Sequence, residues 1–547
     1  MKTWKIYILI IFFSCLPLLN LFLSPGMPRT SDGTMHAIRF AAYYKEFISG
    51  QLPVRWVSQF HYGYGTALFN FVAPLPYIVS LPLVALGLPL TFILKVSFAF
   101  TYILAGIFMY LFALKLFRSP RGAFLVSMMY QFAPFRLVEM NTRGNLGTLY
   151  AYALVPLLFY SVIRLQEKKN YQSFILLSFT ATLLCLSHTI FGFVFIGLGL
   201  LFILFRHKDR KSVFSVFISI LTGIGLASFF IIPALLEQKY TNGYLFTKDL
   251  FYDHFPSLYK LIIPNFFNTV SLRVAEVAVQ IGLFHLISFL FLFYVILKRK
   301  IKSDLKKIGF FILLTSILTV IFMQPVSKPL WEHVPVIRQF QFPWRFLAVI
   351  AFTTSLSVYF LFSSLKIIQN PKIYILFILL ISFSTAYYWK PFQGYVPAQE
   401  KQYWEYPLTT NYNSEFNTVW MGGEPDSFPA NRIEVVGGKG EITDKKLSST
   451  KHSYTINAQN QVTIADRTYF FPGWKLSVDG KYKEIQFQDH TYQGLITFTV
   501  DPGIHTVVVQ YRQSGIAQLG NLISIFILTG MILRSLLGWM RWGFINT

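Results

Sequence analysis

The chain has 547 residues, of which 54% are hydrophobic and only 13% are charged. A soluble protein carries about twice that charged fraction, so an ordinary cytosolic protein, a disordered chain and a collagen-like chain are excluded. The mean hydropathy of +0.50 and the recurring long apolar runs are typical of a polytopic helical membrane protein. Cys15 and Cys185 are the two cysteines, both within apolar runs, which excludes a disulfide scaffold and a thiolate zinc site.

The first apolar run, Ile6–Leu23, follows a short basic segment. No small-residue cleavage pattern comes after it, because the next residues are Ser24-Pro25-Gly26-Met27-Pro28. We therefore predict an uncleaved first membrane span with the amino terminus in the cytoplasm.

Later apolar runs also have helical length, and each can cross a hydrocarbon core of about 30 Å. The stretch 68–114 is apolar but rich in proline, and proline frees carbonyls that lipid cannot satisfy. We predict that one segment there is broken, re-entrant or shielded by other helices. The remaining runs are 122–138, 149–165, 171–187, 190–205, 213–232, 275–297, 308–323, 344–365, 373–388 and 519–537.

The net charge of +24 is unevenly distributed. Alternate short loops and the two chain ends hold 22 Lys and Arg against three acids, which is 19 of the 24 excess charges. This is the positive-inside pattern of plasma-membrane proteins, and it explains the basic composition without a nucleic-acid partner. We predict cytoplasmic termini, an even number of about 12 spans, and outer loops at 24–67, 139–148, 233–274, 324–343 and 389–515.

The stretch 389–515 changes character, because its second half alternates between apolar and polar residues. Asp479-Gly480 between two such runs predicts a hairpin, and 495–500 with 506–511 predicts another. The fold class is therefore mainly α, a polytopic membrane protein with an exported C-terminal β-sandwich domain at about 430–513. The predicted domains are 1–388 (multi-span, with catalytic loops on the outer face), 389–515 (exported) and 516–547 (final span and cytoplasmic tail). No Asn-x-Ser/Thr sequon occurs, which favours a prokaryotic source.

The first outer loop contains Asp32 and His36, four residues apart. Asp32 precedes a predicted helix, so it is either an N-cap or a functional carboxylate at the outer membrane face. On a helix the two side chains share a face, but two ligands do not make a metal site. Farther along, tyrosines interleaved with glycines, His61-Tyr62-Gly63-Tyr64-Gly65, predict a tight loop folded back onto the membrane.

Four further residues are candidates for binding an anionic substrate. Arg143 either pairs with Glu139 or meets an anion, and His188 at the end of a span is either a packed residue or a functional one. Arg338 and Arg345 lie beside aromatic residues at the membrane interface. They either extend to the interface as anchors or grip a lipid phosphate, since a guanidinium presents paired donors.

Several of these residues fall in motifs that resemble a bacterial and archaeal membrane family labelled "6-pyruvoyl-tetrahydropterin synthase-related". The segment Phe471-Pro472-Gly473-Trp474-Lys475 also resembles the exported domain of YfhO-like membrane proteins. The family motifs are Asp32-Gly33-x-x-His36, Tyr62-Gly63-Tyr64-Gly65, Phe69-Asn70-Phe71, Arg143-Gly144, Ser187-His188 and Gln341-Phe342-Pro343-Trp344-Arg345.

Both groups resemble the GT-C class of glycosyltransferases, whose sugar donor is linked to a polyprenyl phosphate. The resemblance implies that Asp32 is the catalytic carboxylate. Many GT-C enzymes carry two acids in this loop, whereas Asp32 stands alone, and relatives often carry Glu where this chain has Thr148. A divalent metal is therefore not supported, and no cofactor is predicted.

The sequence and the resemblance together predict a glycosyltransferase of the EC 2.4 type that acts on the outer face. It would move a sugar from a polyprenyl-phosphate donor to an envelope glycan, lipid or protein. No nucleotide-binding motif is present, which favours a lipid-linked donor. Predicted catalytic residues are Asp32 and His36, and predicted substrate-binding residues are His61, Tyr64, Arg143, His188, Arg338 and Arg345. The alternative is a non-catalytic assembly or transport factor for envelope polysaccharide.

Overall fold

The computed structural model describes residues 3–206, 209–243, 249–264, 266, 277–298, 301–410 and 414–543. The chain is mostly helical and ends in a β domain followed by one long helix. The α-helices are Thr3–Leu23, Gly33–Ile48, Leu75–Ala85, Leu90–Phe117, Pro120–Gln131, Pro134–Val138, Leu146–Lys168, Tyr171–Ser187, Thr189–Arg206, Arg210–Leu226, Ser228–Leu236, Leu258–Ile262, Leu283–Lys298, Ser303–Phe322, Lys328–His333, Pro335–Arg338, Leu347–Ser364, Lys366–Gln369, Pro371–Phe383, Glu400–Glu405 and Gly515–Gly543.

Seven segments among the described residues are long and apolar enough to cross a membrane. Helices Arg210–Leu226 and Ser228–Leu236 also qualify together, as a pair bent by 72°. Shorter apolar helices lie at Leu75–Ala85, Tyr171–Ser187, Leu283–Lys298 and Pro371–Phe383. The predicted number of about 12 spans stays a prediction. The seven segments are Trp4–Leu23, Leu90–Phe117, Leu146–Lys168, Thr189–Arg206, Ser303–Phe322, Pro343–Ser364 and Gly515–Leu537.

Of the three alternatives predicted for the stretch 68–114, the structure agrees with the first, a break. One helix ends at Ala85 and the next begins at Leu90. Gly87 lies between them in the left-handed region, with φ +73°, as is common just after a helix end. Pro89 then precedes the second helix, where its missing N–H costs no intrahelical bond.

Contacts divide the chain into two compact units. The first contains Met1–Ala37, Thr91–Ala227 and Thr247–Ala398. Its interior uses many of the 58 phenylalanines of the chain, because aromatic rings fill space between helices and pair edge-to-face. Phe159, for example, lies 4.6 Å from Phe352 and 5.4 Å from Phe202, between ring centroids. Strands β1 (Met27–Pro28) and β2 (Tyr395–Val396) also pair here.

The second unit contains Ile38–Leu90, Ser228–Phe246 and Gln399–Thr547. The C-terminal β domain is confirmed, with a five-stranded sheet in the order β4-β5-β10-β7-β8 and a three-stranded sheet in the order β3-β6-β9. Its export and the predicted domain boundaries stay predictions. The strands are β3 (Ile433–Gly437), β4 (Gly440–Leu447), β5 (Lys451–Ala458), β6 (Val462–Tyr469), β7 (Trp474–Val478), β8 (Lys481–Lys483), β9 (Leu495–Val500) and β10 (Gly503–Tyr511).

The core of this β domain includes residues from the first predicted outer loop. Trp56 is 1% exposed and its ring lies edge-on to Trp474, 5.3 Å between centroids. A side chain at Gly65 would meet the Trp56 ring, because a Cβ there would lie 2.3 Å from it. Residues near position 60 therefore pack in the core of the β domain. The alternation of apolar and polar residues along the strands gives no sign of this contact.

One predicted hairpin is confirmed and the other is wrong. β7 and β8 pair antiparallel around Asp479-Gly480, and both turn residues have positive φ, as the favoured two-residue turn requires. In contrast, β9 pairs with β6, whereas β10 pairs with β5 and β7 in the other sheet. Pro502 in the intervening link has its φ fixed at about −65°, whereas the favoured type I′ turn needs positive φ at both central residues. Alternation alone does not identify a partner strand.

Candidate active site

Asp32 is half-buried and lies directly before helix Gly33–Ile48. Its backbone N–H donates to the Arg143 carbonyl at 2.8 Å, and its carboxylate Oδ2 accepts from Asn145 Nδ2 at 2.9 Å. The first and second predicted outer loops therefore meet at this carboxylate. At the start of the helix, the Gly33 N–H donates to Thr30 Oγ1 at 3.0 Å.

The close approach of the two loops requires a glycine. Gly144 has φ +67°, and a Cβ there would lie 2.2 Å from Thr30 Oγ1. Any larger residue would be strained and would push the loops apart. The Arg143-Gly144 dipeptide thus places the Arg143 carbonyl against Asp32.

His36 lies one helical turn after Asp32 and is buried, at 5% exposure. Its Nε2 accepts a hydrogen bond from the Leu146 N–H at 3.2 Å, which leaves the ring proton on Nδ1. Leu146 begins the helix that Asn145 caps, since Asn145 Oδ1 accepts from the Thr148 N–H at 2.9 Å. His36 and Asn145 therefore fix the helix end beside Asp32, and a catalytic role for His36 stays a prediction.

Glu139 and Arg143 form the predicted ion pair, with Arg143 Nη1 2.9 Å from Glu139 Oε1. They bracket a single π-helical turn, Glu139–Arg143, a feature often found at functional sites. Their side chains are 1% and 3% exposed, and burial raises the pKa of Glu139 against the opposing effect of Arg143. Glu139 Oε2 and Arg143 Nε nonetheless have no hydrogen-bond partner among the described residues.

Two arginines lie over a stacked aromatic pair, which we name the aromatic ladder: Phe342 and Trp344, 5.2 Å between centroids. The Arg143 guanidinium lies 4.9 Å from the Trp344 ring, and the Arg345 guanidinium lies 4.7 Å from the Phe342 ring. Arg345 is 8% exposed and its Nη1 donates to the Phe340 carbonyl at 3.1 Å. Trp344 Nε1 has no partner within the described chain.

His188 follows helix Tyr171–Ser187 as its C-cap. A Cβ at Gly147 would lie 3.6 Å from the His188 ring, so His188 packs against the helix that Asn145 caps. Burial, together with the positive charges of Arg345 and Arg143, lowers the pKa of His188 well below its usual value. The imidazole is therefore neutral and lies within electrostatic reach of both arginines.

The structure thus gathers five of the eight predicted site residues in the first unit: Asp32, His36, Arg143, His188 and Arg345. Arg338, in the same unit, is held by helix Lys328–His333, since it donates to the carbonyls of Trp331 and Glu332. Within the residues described, no group of three or more His, Cys, Asp or Glu side chains is arranged to hold a metal ion.

His61 and Tyr64 belong to the second unit, where they contact β6. The His61 ring is 2% exposed and lies 5.8 Å from the Tyr469 ring. Both of its nitrogens are without a partner in the described part of the chain, and burial lowers the pKa of His61 to about 4. The Tyr64 carbonyl accepts from the Tyr469 N–H at 2.9 Å. A substrate-binding role for either residue stays a prediction.

Sequence reasoning missed Asn145 and the aromatic ladder. Asn145 reads as an ordinary helix cap, and Phe342 and Trp344 read as interface residues. Arg345 offers a signal, because it directly follows Trp344 in the sequence. No signal in the chain showed that the loop with Asp32 meets the loop with Asn145.

Comparison with known proteins gives one family and several weaker likenesses. A family described as "6-pyruvoyl-tetrahydropterin synthase related domain; membrane protein" matches residues 69–392. An uncharacterized protein of Lactococcus lactis subsp. cremoris is 25% identical over 256 residues, which cover 43% of this chain and 40% of the relative. The chain therefore spans less than half the length of that relative.

Two solved structures share a weak likeness in fold. Arabinofuranosyltransferase AftD from Mycobacteria matches with a TM-score of 0.43 and 14% identity, over 70% of this chain and 26% of that protein. The oligosaccharyltransferase of Archaeoglobus fulgidus matches with a TM-score of 0.45 and 14% identity, over 78% of this chain and 59% of the other.

Proposed function

The chain belongs to the membrane protein family described as 6-pyruvoyl-tetrahydropterin synthase related, and we propose that it is a membrane glycosyltransferase. Its donor is a sugar linked to polyprenyl phosphate, and its acceptor is an envelope glycan, lipid or protein. Transfer takes place on the outer face of the plasma membrane.

The observation that carries the proposal is the contact between Asp32 and the backbone of Arg143, one of two buried arginines of this unit. Asp32 lies against the backbone of Arg143, and Arg143 and Arg345 share the aromatic ladder. Polar atoms of Glu139, Arg143 and Trp344 are left without partners among the described residues. Buried polar atoms are nearly always hydrogen-bonded, so these atoms support a polar ligand at this place. The two unbonded donors among them, Arg143 Nε and Trp344 Nε1, favour a ligand with acceptor oxygens such as a phosphate.

The arrangement supplies the two functions that sugar transfer needs. Asp32 accepts the proton of an acceptor hydroxyl, whose oxygen then bonds to the anomeric carbon of the donor sugar. The bond from that carbon to the phosphate oxygen breaks, and its electron pair leaves with the polyprenyl phosphate. Arg345 and Arg143 stabilise the phosphate charge, because donors aimed at developing charge lower the barrier.

The surrounding residues orient these groups. Asn145 holds the Asp32 carboxylate, and His36 ties the same helix end to Leu146. We assign His188, neutral and within electrostatic reach of both arginines, to a hydrogen bond with a sugar hydroxyl that adds no charge. We also assign Arg338, His61 and Tyr64 to substrate binding. Tyr64 lies in a motif that resembles the family, and Arg338 and His61 are chosen from their residue type and their place in predicted outer loops.

The charge distribution supports an outer-face reaction. Excess Lys and Arg mark the loops predicted to be cytoplasmic. The candidate site residues lie instead at the ends of apolar segments that face the predicted outer loops: Asp32, Arg143, His188 and Arg345. A lipid-linked donor keeps its chain in hydrocarbon and places its phosphate at the membrane interface. The termini are then cytoplasmic and residues 389–515 extracytoplasmic.

The decisive experiment is transfer by purified protein reconstituted with a panel of polyprenyl-phosphate-linked hexoses and pentoses and a lipid extract as acceptor. We expect Asp32→Asn to lower the rate at least about a hundredfold, the lower range of general-base catalysis. Asp304→Asn is the matched control, because that side chain is 92% exposed. Full transfer by Asp32→Asn would reduce Asp32 to a helix cap. Specific binding of glycan with no transfer by any variant would favour the non-catalytic assembly factor.

A further inference from the structure

His254 is a buried histidine in the first unit that the mechanism above does not use. It follows the short helical turn Leu250–Asp253 and is 7% exposed. Its backbone N–H donates to the Phe251 carbonyl at 3.1 Å. The ring Nδ1, in contrast, has no hydrogen-bond partner among the described residues. A polar ring atom withdrawn from water is unfavourable unless something bonds to it.

The His254 ring lies against the aromatic ladder. It meets Phe342 edge-on, with 4.5 Å between ring centroids and 68° between planes. Arg345 lies over the same Phe342, and Arg143 lies over Trp344, on which Phe342 stacks. A continuous series of contacts therefore joins His254 to both arginines of the candidate site.

Charges of both signs act on His254. Burial lowers the pKa of His254 to about 4, with Asp253 opposing the shift and Arg345 and Arg143 adding to it. The ring is thus neutral near pH 7 and carries one N–H and one lone pair. Beside two cations, an anionic ligand is favoured over a cationic one, and its oxygens are acceptors for that N–H.

We propose that His254 is a further substrate-contacting residue, whose ring N–H donates a hydrogen bond to a phosphate oxygen of the lipid-linked donor. The inference rests on the proposed function and deepens it, because it adds a third group to the phosphate-binding set. Arg345 and Arg143 attract the negative charge of the phosphate. His254 supplies an uncharged hydrogen-bond donor that orients the phosphate as the leaving group.

The test compares His254→Phe and His254→Asn in the reconstituted transfer assay. Phe keeps a ring against Phe342 but donates nothing, so we expect the KM for the donor to rise about threefold to tenfold, the range of a neutral hydrogen bond. Asn offers an amide donor and is expected to restore part of that loss. His333→Asn is the control, because His333 is exposed and bonds the Pro329 carbonyl at 2.8 Å.

A second readout is independent of transfer: binding of polyprenyl phosphate without sugar, followed by tryptophan fluorescence of the purified protein. Weaker binding by His254→Phe, with partial recovery in His254→Asn, supports the inference. Unchanged KM and unchanged binding in His254→Phe, while wild type transfers sugar, overturn the inference and leave the proposed function intact. No binding and no transfer by wild type overturn both.

Discussion

The Glu139–Arg143 ion pair beside Asp32 and the ion pair of Asp466 differ in whether both oxygens of the buried carboxylate are bonded within the described chain. In the β domain, Asp466 is fully buried, and its two oxygens accept from His452 Nδ1 and Thr468 Oγ1, each at 2.6 Å. Arg432 Nε lies 3.9 Å from the same carboxylate. In the first unit, the Glu139–Arg143 pair keeps unbonded atoms on both partners within the described chain.

We interpret the difference as that between a structural cluster and the ligand site proposed above. Each oxygen of Asp466 is satisfied by the chain itself, so the β domain alone explains the presence of a charge in its core. The atoms left over around Arg143 and Trp344 are not explained by the fold, since unpaired buried groups are rare and costly. A ligand that bonds to them is the simplest account.

The largest expected effect is on the β domain, where Asp466→Asn should cost about 3–5 kcal/mol of unfolding free energy. Asn removes the negative charge that lies beside Arg432 and that accepts from His452 and Thr468, and breaking a buried pair in this way is strongly destabilising. Denaturant unfolding of the full chain in detergent measures the loss. Asp479→Asn is the matched control, because Asp479 also pairs with a histidine, at 2.7 Å, but is half exposed. Equal losses in the two variants would contradict a special role for the buried pair.

The same pair predicts a pH dependence. Burial opposes ionisation of Asp466, but His452, Arg432 and Thr468 outweigh it and hold the pKa of this carboxyl below its usual value. The stabilisation is then complete above the usual pKa of about 3.9 and is lost as the pH falls through the lower, folded-state pKa. We expect the unfolding temperatures of wild type and Asp466→Asn to converge below about pH 4, and a constant gap would contradict this.

A smaller effect is expected at the arginines of the candidate site. A charge-assisted contact to phosphate is worth about 1.5–3 kcal/mol, so Arg345→Ala should lower transfer about tenfold to a hundredfold. Arg345→Lys keeps the charge but loses the planar fork and should retain part of the activity. Rates are normalised to folded protein from size-exclusion chromatography.

Arg143→Ala and Arg338→Ala complete this series. Glu139 already neutralises Arg143, so Arg143→Ala should reduce folded yield as well as rate. Arg338 donates to backbone carbonyls, and its removal should affect transfer least. Unchanged kinetics in Arg345→Ala would assign Arg345 to interface anchoring and move the phosphate role to Arg143 or Arg338.

The smallest effect on the folded protein is expected from a single cysteine introduced into the β domain to test its topology. In a chain whose Cys15 and Cys185 are replaced by serine, Ser477→Cys should react with a membrane-impermeant thiol reagent in intact cells. Where an outer membrane exists, it is first permeabilised. Ser303→Cys, in a predicted cytoplasmic loop, is the control and should stay unlabelled. The reverse pattern would invert the topology and remove the argument for a lipid-linked donor.

Local chemistry in the sequence predicted most of the long helices, an irregularity in the stretch 68–114 and the hairpin at Asp479-Gly480, because hydrophobic period, proline and turn residues act over a few positions. It did not predict that the runs 122–138 and 213–232 are each divided into two helices. The sequence did not identify the partner strand of β9, since strand pairing depends on residues distant in the chain.

Prediction of the candidate site has the same limit. Asp32, Arg143 and Arg345 each stood out as a residue type, but only packing shows that Asn145 and the aromatic ladder join them.

Mass spectrometry of envelope glycans and lipids in a deletion strain tests the central claim most directly, because it identifies donor sugar and acceptor together. We expect one sugar-bearing component to disappear or to lose a sugar, and to return with wild-type protein but not with Asp32→Asn. The Asp32→Asn protein must be equally abundant in the membrane. An unchanged envelope profile in the deletion strain, or full restoration by Asp32→Asn, would contradict the assignment of a glycosyltransferase active site to Asp32.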